Sequence, residues 1–141
     1  MSDPKKTVGY LSGTFDLFHI GHLNLLRRAK EHCDYLVVAV HGSGKWKGKE
    51  TFISAEERME ILASIRYVDK VIPSQPEDTD VWEDIKYDIL FVGSDYKGSE
   101  RFEEYERFFA DTPTSIRYFP YTDSTSSSKL RQLISQKLDA S

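Results

Sequence analysis

Between Thr7 and Val40 the chain passes from a short apolar stretch through a helical repeat to a second, stronger apolar stretch, and few folds accept that order. Thr7-Val8-Gly9-Tyr10-Leu11 predicts a first strand, and the apolar run from Tyr35 to Val40 predicts a second, buried one. Between them Ile20, Leu23, Leu25, Leu26, Ala29 and Cys33 recur at near-3.6 spacing, with Arg27, Arg28, Lys30 and Glu31 on the other face. A strand, a helix of that length and another buried strand make a βαβ unit, whose strands are expected to be parallel.

The alternation continues to the end of the chain. Ser54-Ala55-Glu56-Glu57 has the form of a capping box and opens a helix expected through Ile65, with Met59, Leu62 and Ile65 on one face. Tyr67 to Ile72 predicts a strand closed by Pro73, Asp80 to Lys86 a short helix, and Asp88 to Val92 a further strand. Arg101 to Ala110 predicts a helix, Ser115 to Phe119 a last strand ending at Pro120, and Ser126 to Leu138 a last helix. The expected fold is therefore α/β, a Rossmann-like three-layer sandwich around a mostly parallel five-stranded sheet. With 141 residues, 39% hydrophobic and 13% aromatic, the chain is expected to form one domain spanning 1–141, frayed at 1–6 and 139–141.

Charge and composition narrow the function. A formal net charge of -4 argues against a nucleic-acid surface, so phosphate binding must be local. The lysines near the start have no apolar stretch behind them, and no segment approaches the run of about 20 apolar residues that a membrane helix needs. The expectation is a cytoplasmic protein. The lone Cys33 closes an apolar-periodic helix and is expected to be a core thiol.

In a sheet of this kind ligands bind beyond the carboxyl ends of the strands, which puts Ser12 to Asp16, His41 to Lys49, Gly93 to Gly98 and Tyr121 to Ser128 on one rim. The richest stretch follows the first strand: Gly13-Thr14-Phe15-Asp16, then His19-Ile20-Gly21-His22 where a helix begins. Two imidazoles three residues apart share one side of that first turn. Free N–H groups at a helix start attract phosphate, Gly21 lets it approach the backbone, and imidazole N–H groups can stabilise charge developing at phosphorus. A zinc site is disfavoured, since no third ligand stands nearby in sequence. Taken alone, the lysines of Lys45-Trp46-Lys47-Gly48-Lys49 read as solvated charge and Arg58 as a helix-surface ion pair.

Gly13-Thr14-Phe15-Asp16 followed by His19-x-Gly21-His22 resembles the signature of the cytidylyltransferase branch of the nucleotidyltransferase superfamily, and within it the bacterial glycerol-3-phosphate cytidylyltransferases. The resemblance runs from the first strand through Lys129 and includes Asp34 to Val40 and Ile65-Arg66-Tyr67-Val68-Asp69-Lys70-Val71-Ile72-Pro73. It implies transfer of CMP from CTP to a small alcohol phosphate, with His19, His22, Lys47 and Lys49 catalytic and a magnesium ion on the triphosphate. Gly13, Thr14, Phe15, Asp16, Gly21, Gly93, Asp95, Thr122, Ser127 and Ser128 would bind the nucleotide, Asp95 accepting from the cytosine amino group. Arg58, Arg66 and Lys47 would hold the acceptor, a glycerol phosphate of either isomer. It also implies a homodimer and a product used for a surface polymer such as teichoic acid or capsule.

Two positions depart from the family pattern. Tyr121 stands where the family usually has arginine, and Ser124 where it has glycine, which removes a fixed positive fork near the phosphates. An adenylyltransferase acting on a flavin or pantetheine phosphate is the rival within the superfamily, and a nucleotide-binding module without catalysis is the rival outside the enzymes.

Overall fold

In the computed structural model, which describes residues 6–42, 51–120 and 127–140, strands and helices alternate throughout. They are β1 (Val8–Gly13), α1 (Ile20–Glu31), β2 (Tyr35–Val40), α2 (Ala55–Ala63), β3 (Lys70–Pro73), α3 (Asp78–Ile85), β4 (Ile89–Gly93), α4 (Glu100–Phe109), β5 (Ser115–Phe119) and α5 (Ser127–Ala140). A 3-10 turn at Ser94–Tyr96 follows β4. The five strands form one sheet in the order β3-β2-β1-β4-β5. Every pairing is parallel, so the expectation of a mostly parallel sheet sharpens to a fully parallel one among the described strands.

The uninterrupted apolar character of β2 follows from its place inside the sheet. Leu36, Val38 and Val40 pack with Leu26 and Ala29 of α1 and Leu62 of α2. Val37 and Ala39 point the other way, to Val81 of α3 and Phe102, Tyr105 and Phe109 of α4. Helices thus cover both faces, as in the expected three layers, and each fully buried aliphatic side chain contributes about 1.5–3 kcal/mol. The approach is tight enough to exclude a side chain at residue 9. A Cβ on Gly9 would stand 2.5 Å from the Phe91 ring and 2.7 Å from Cys33 Sγ. Cys33 packs against the α1 and α2 core, and burial pushes its thiol pKa up.

Several boundaries differ from the sequence expectation, each for a local reason. β3 starts at Lys70 instead of Tyr67, because Val68 N still donates to Ile65 O in a turn and the ladder begins only where Asp69 N reaches Leu36 O. The Asp69 carboxylate then takes Leu36 N at 2.8 Å and Lys30 Nζ at 2.6 Å, which ties the entry of β3 to β2 and α1. Tyr67 and Val68 fold onto the core instead. α3 starts at Asp78, two residues earlier than expected, and Glu77 N donates to Asp80 Oδ2 at its start. α2 closes at Ala63, before Ile65, with Ser54 Oγ accepting from Glu57 N at 3.2 Å at its start. β1 runs two residues further than expected, to Gly13.

The chain builds outward from β1 through β2 to β3, then returns to lay β4 on the opposite side of β1. Helices leaving the two neighbours therefore go to opposite faces, and a crevice opens beyond their carboxyl ends. The strand ends are level there: Gly13 pairs in register with Val40, Val40 with Pro73, and Gly93 with Phe119. On the α3 side of that edge Ser12 and Tyr10 hydrogen-bond the buried Asp78 carboxylate, Tyr10 at 3.0 Å, so α3 is held against the end of β1.

Candidate active site

The turn that leaves β1 is defined by two residues in the left-handed region, Phe15 at φ 56° and Leu17 at φ 52°. Such backbone costs about 1–3 kcal/mol per residue and persists where packing enforces it. Here the Phe15 side chain does so. It is 5% exposed and lies back over Gly13, where a Cβ would come within 2.9 Å of its ring. Gly13 is thus demanded by the close approach, and Phe15 in turn packs 5.4 Å from the His22 ring, centroid to centroid.

His19 and His22 begin α1 by capping each other. His19 is the N-cap, with extended backbone, and its Nδ1 accepts from Gly21 N at 3.0 Å. His22 Nδ1 accepts from His19 N at 3.2 Å. This is the reciprocal pattern of a capping box, built from two imidazoles where hydroxyl and carboxylate side chains are usual. A backbone N–H can only donate, so each Nδ1 must carry a lone pair. In a neutral ring the proton then sits on Nε2, at the far side of the ring from the helix. Burial favours that neutral state: it lowers the pKa of His19, and together with the neighbouring His19 it brings His22 down to about 4 against a weaker opposing pull from Asp16. The rings stand 4.0 Å apart and tilted by 34°, with Phe18 stacked 5.3 Å from His22. The sequence spacing placed both imidazoles on one side of the first turn, and the structure adds their tautomers.

Asp16 lies beneath this turn, 2% exposed. Its carboxylate accepts from Phe52 N and Ile53 N, each at 2.9 Å, and pairs with Arg131 Nη2 of α5. Arg58 completes the scaffold, and here the sequence expectation is corrected. Arg58 is no surface residue: it is 1% exposed, and an acceptor contact would require it to leave four backbone carbonyls. Its Nε donates to Ile53 O at 2.8 Å, Nη1 to Thr14 O and His41 O at 2.7 Å, and Nη2 to Gly42 O at 2.8 Å. The guanidinium thereby joins the turn after β1, the end of β2 and the entry to α2. Burial opposes its charge while the nearby Asp16 supports it.

Most of the remaining expected positions lie at the carboxyl edge of the sheet, but Arg66, expected to hold the acceptor, precedes the first residue of β3 and so stands at the opposite, amino edge. Gly21 is in the first turn of α1, Thr14 lends its carbonyl to Arg58, and Gly93 ends β4. Asp95 is exposed in the 3-10 turn that follows. Arg66 is exposed in the turn before β3, its guanidinium 5.9 Å from the Tyr67 ring. Lys47, Lys49, Thr122, Tyr121 and Ser124 lie outside the described residues, as do the side chains of Ser127 and Ser128. Sequence reasoning missed Arg131, which no local pattern marks, and the inward role of Arg58.

A helix start with two Nε2–H donors, set where the strand order reverses, is an arrangement for phosphoryl chemistry on a nucleotide. The chain is similar to proteins that are named for nucleotide transfer or synthesis. Glycerol-3-phosphate cytidylyltransferase of Bacillus subtilis (strain 168) is 38% identical over 139 residues, covering 92% of this chain and 97% of the relative. FAD synthase of Thermococcus kodakarensis is 34% identical over 143 residues, covering 95% and 96%. Among solved structures, the lipopolysaccharide core biosynthesis protein from Thermoplasma volcanium GSS1 superposes with a TM-score of 0.71 at 20% identity, covering 86% of this chain and 100% of that one, which speaks to the fold. The Cytidylyltransferase-like family model matches residues 10–133, and the chain belongs to that family.

Proposed function

We propose that this protein transfers CMP from CTP to a glycerol phosphate, releasing pyrophosphate and CDP-glycerol. The observation that carries the reading is the reciprocal histidine cap, which fixes two neutral imidazoles as Nε2–H donors at a helix start. A phosphate oxygen of the acceptor attacks the α-phosphorus of CTP in line, the new P–O bond forms, and the bond to the bridging oxygen of pyrophosphate breaks. No protein nucleophile is needed. Negative charge grows on the α-phosphate oxygens and the departing pyrophosphate, and His19 and His22 stabilise it by donation while keeping their own protons. Lys47 and Lys49 are assigned to the triphosphate and the acceptor phosphate, and Asp95 to the cytosine amino group.

Among the described residues no group of three or more His, Cys, Asp or Glu side chains is placed to hold a metal ion. Magnesium enters with the substrate, as the CTP complex, which is what the family resemblance implies. The rest of the proposal, a single catalytic domain acting as a cytoplasmic homodimer that supplies CDP-glycerol for teichoic acid or capsule, rests on the family resemblance. No helix among the described residues is long and apolar enough to cross a membrane.

The FAD synthase relative supports a second reading, adenylyl transfer from ATP to a flavin phosphate. One panel separates them. The protein is incubated with CTP or ATP, magnesium, and glycerol-3-phosphate, glycerol-2-phosphate or flavin mononucleotide, and pyrophosphate release is followed with mass and phosphorus NMR analysis of products. CTP with glycerol-3-phosphate is expected to be the best pair, by roughly tenfold or more over ATP. Product from ATP and the flavin alone would transfer the assignment to the rival.

A further inference from the structure

Asp16 is a carboxylate sealed under the turn where a triphosphate is to bind, and an uncompensated negative charge at that position opposes the ligand. The N–H groups of Phe52 and Ile53 disperse part of it. Arg58 is close enough for the two charges to support each other, yet the bonds described for its guanidinium go to carbonyl oxygens. A cation in contact with Asp16 comes from the other end of the chain, 115 residues away: Arg131 Nη2 closes on Asp16 Oδ2. The Arg131 side chain is 21% exposed, and its guanidinium lies 5.0 Å from the centroid of the Phe52 ring.

We infer that Arg131 is a positioning residue for the nucleotide phosphates, acting through Asp16. It cancels the buried charge beneath the Gly13 to His22 turn, and it seats α5 against that turn. Arg131 stands about one helical turn after the start of α5, so the ion pair also sets where that helix start lies relative to the histidines. The functional consequence is on CTP affinity. Without Arg131 the net negative charge at Asp16 is larger and repels ground state and transition state alike, because the triphosphate carries its charge in both, so the loss falls on KM and leaves kcat nearly unchanged.

The inference rests on the cytidylyl transfer proposed above, and steady-state kinetics with CTP varied at saturating glycerol-3-phosphate tests it separately. A wild-type protein that releases no pyrophosphate from CTP sinks the parent reading. An active wild type whose KM is indifferent to Arg131 sinks only this one. R131Q should raise KM for CTP about tenfold with kcat within about threefold, while R131K, which keeps the charge, should stay within about twofold in both. The double variant D16N/R131Q should bind CTP more tightly than R131Q, since it removes the charge that Arg131 offset. A purely structural ion pair would lower Tm in all three without this pattern, and adding D16N would deepen the damage. An R131Q KM within twofold of wild type, an R131K as weak as R131Q, or a double variant no better than R131Q each overturns the proposal. Should circular dichroism find R131Q unfolded, R131K decides alone: a KM within twofold supports the charge role, and a tenfold rise refutes it.

Discussion

His22→Asn separates the two tasks that one imidazole performs. An asparagine amide oxygen can take the place of His22 Nδ1, which accepts from His19 N at 3.2 Å, so the helix start stays capped. It cannot reach where Nε2–H points. Loss of one donor aimed at developing phosphate charge should lower kcat about 10²–10³-fold, or about 2.7–4 kcal/mol of transition-state stabilisation. His22→Ala loses donor and cap together, so it should show the same fall in kcat and in addition lose about 1 kcal/mol of stability, a few degrees in Tm. Pyrophosphate release measures the first quantity and thermal unfolding the second. A His22→Asn protein that keeps more than about a tenth of wild-type kcat would refute the donor role. One that loses as much stability as His22→Ala would refute the cap.

Two other outcomes follow from buried charge. The folded state holds His22 at about 4, below the value of roughly 6.5 it has when unfolded, so the unfolded chain takes up the proton first as pH falls. Stability from this residue is complete above about pH 6.5 and is lost progressively toward pH 4, by about 3 kcal/mol, and urea titrations across that range should show the slope in wild type and a shallower one in His22→Asn. Arg58→Met should cost at least about 3 kcal/mol in urea unfolding, because four carbonyls lose a charged donor in a site that is 1% exposed; a loss under about 1 kcal/mol would return Arg58 to the surface role its sequence position suggests.

What could be read from the sequence was local or periodic. The buried β2, the strand and helix alternation, the rim and the histidine pair are each encoded within a short window, because side-chain direction repeats every two residues in a strand and every 3.6 in a helix. The ends of elements were less legible. β3 begins where Asp69 bonds Leu36 and Lys30, partners that lie 33 and 39 residues away, and no window around Tyr67 contains them. Arg58 shows the same limit at the site. Its neighbours Glu56 and Glu57 give it the look of an exposed helix charge, yet its carbonyl partners are 5, 16, 17 and 44 residues distant, and only the fold converges them on one guanidinium. A buried arginine is legible when the groups that satisfy it are neighbours in the chain, and here they are neighbours only in space. Arg131 goes one step further, since nothing about Leu130-Arg131-Gln132 distinguishes it from any polar helix face. Motifs therefore locate the groups proposed to face the substrate, whereas the charges that hold those groups in place are set by long-range contacts, and substitutions at Arg58 and Arg131 are where reading by motif alone will misjudge this protein.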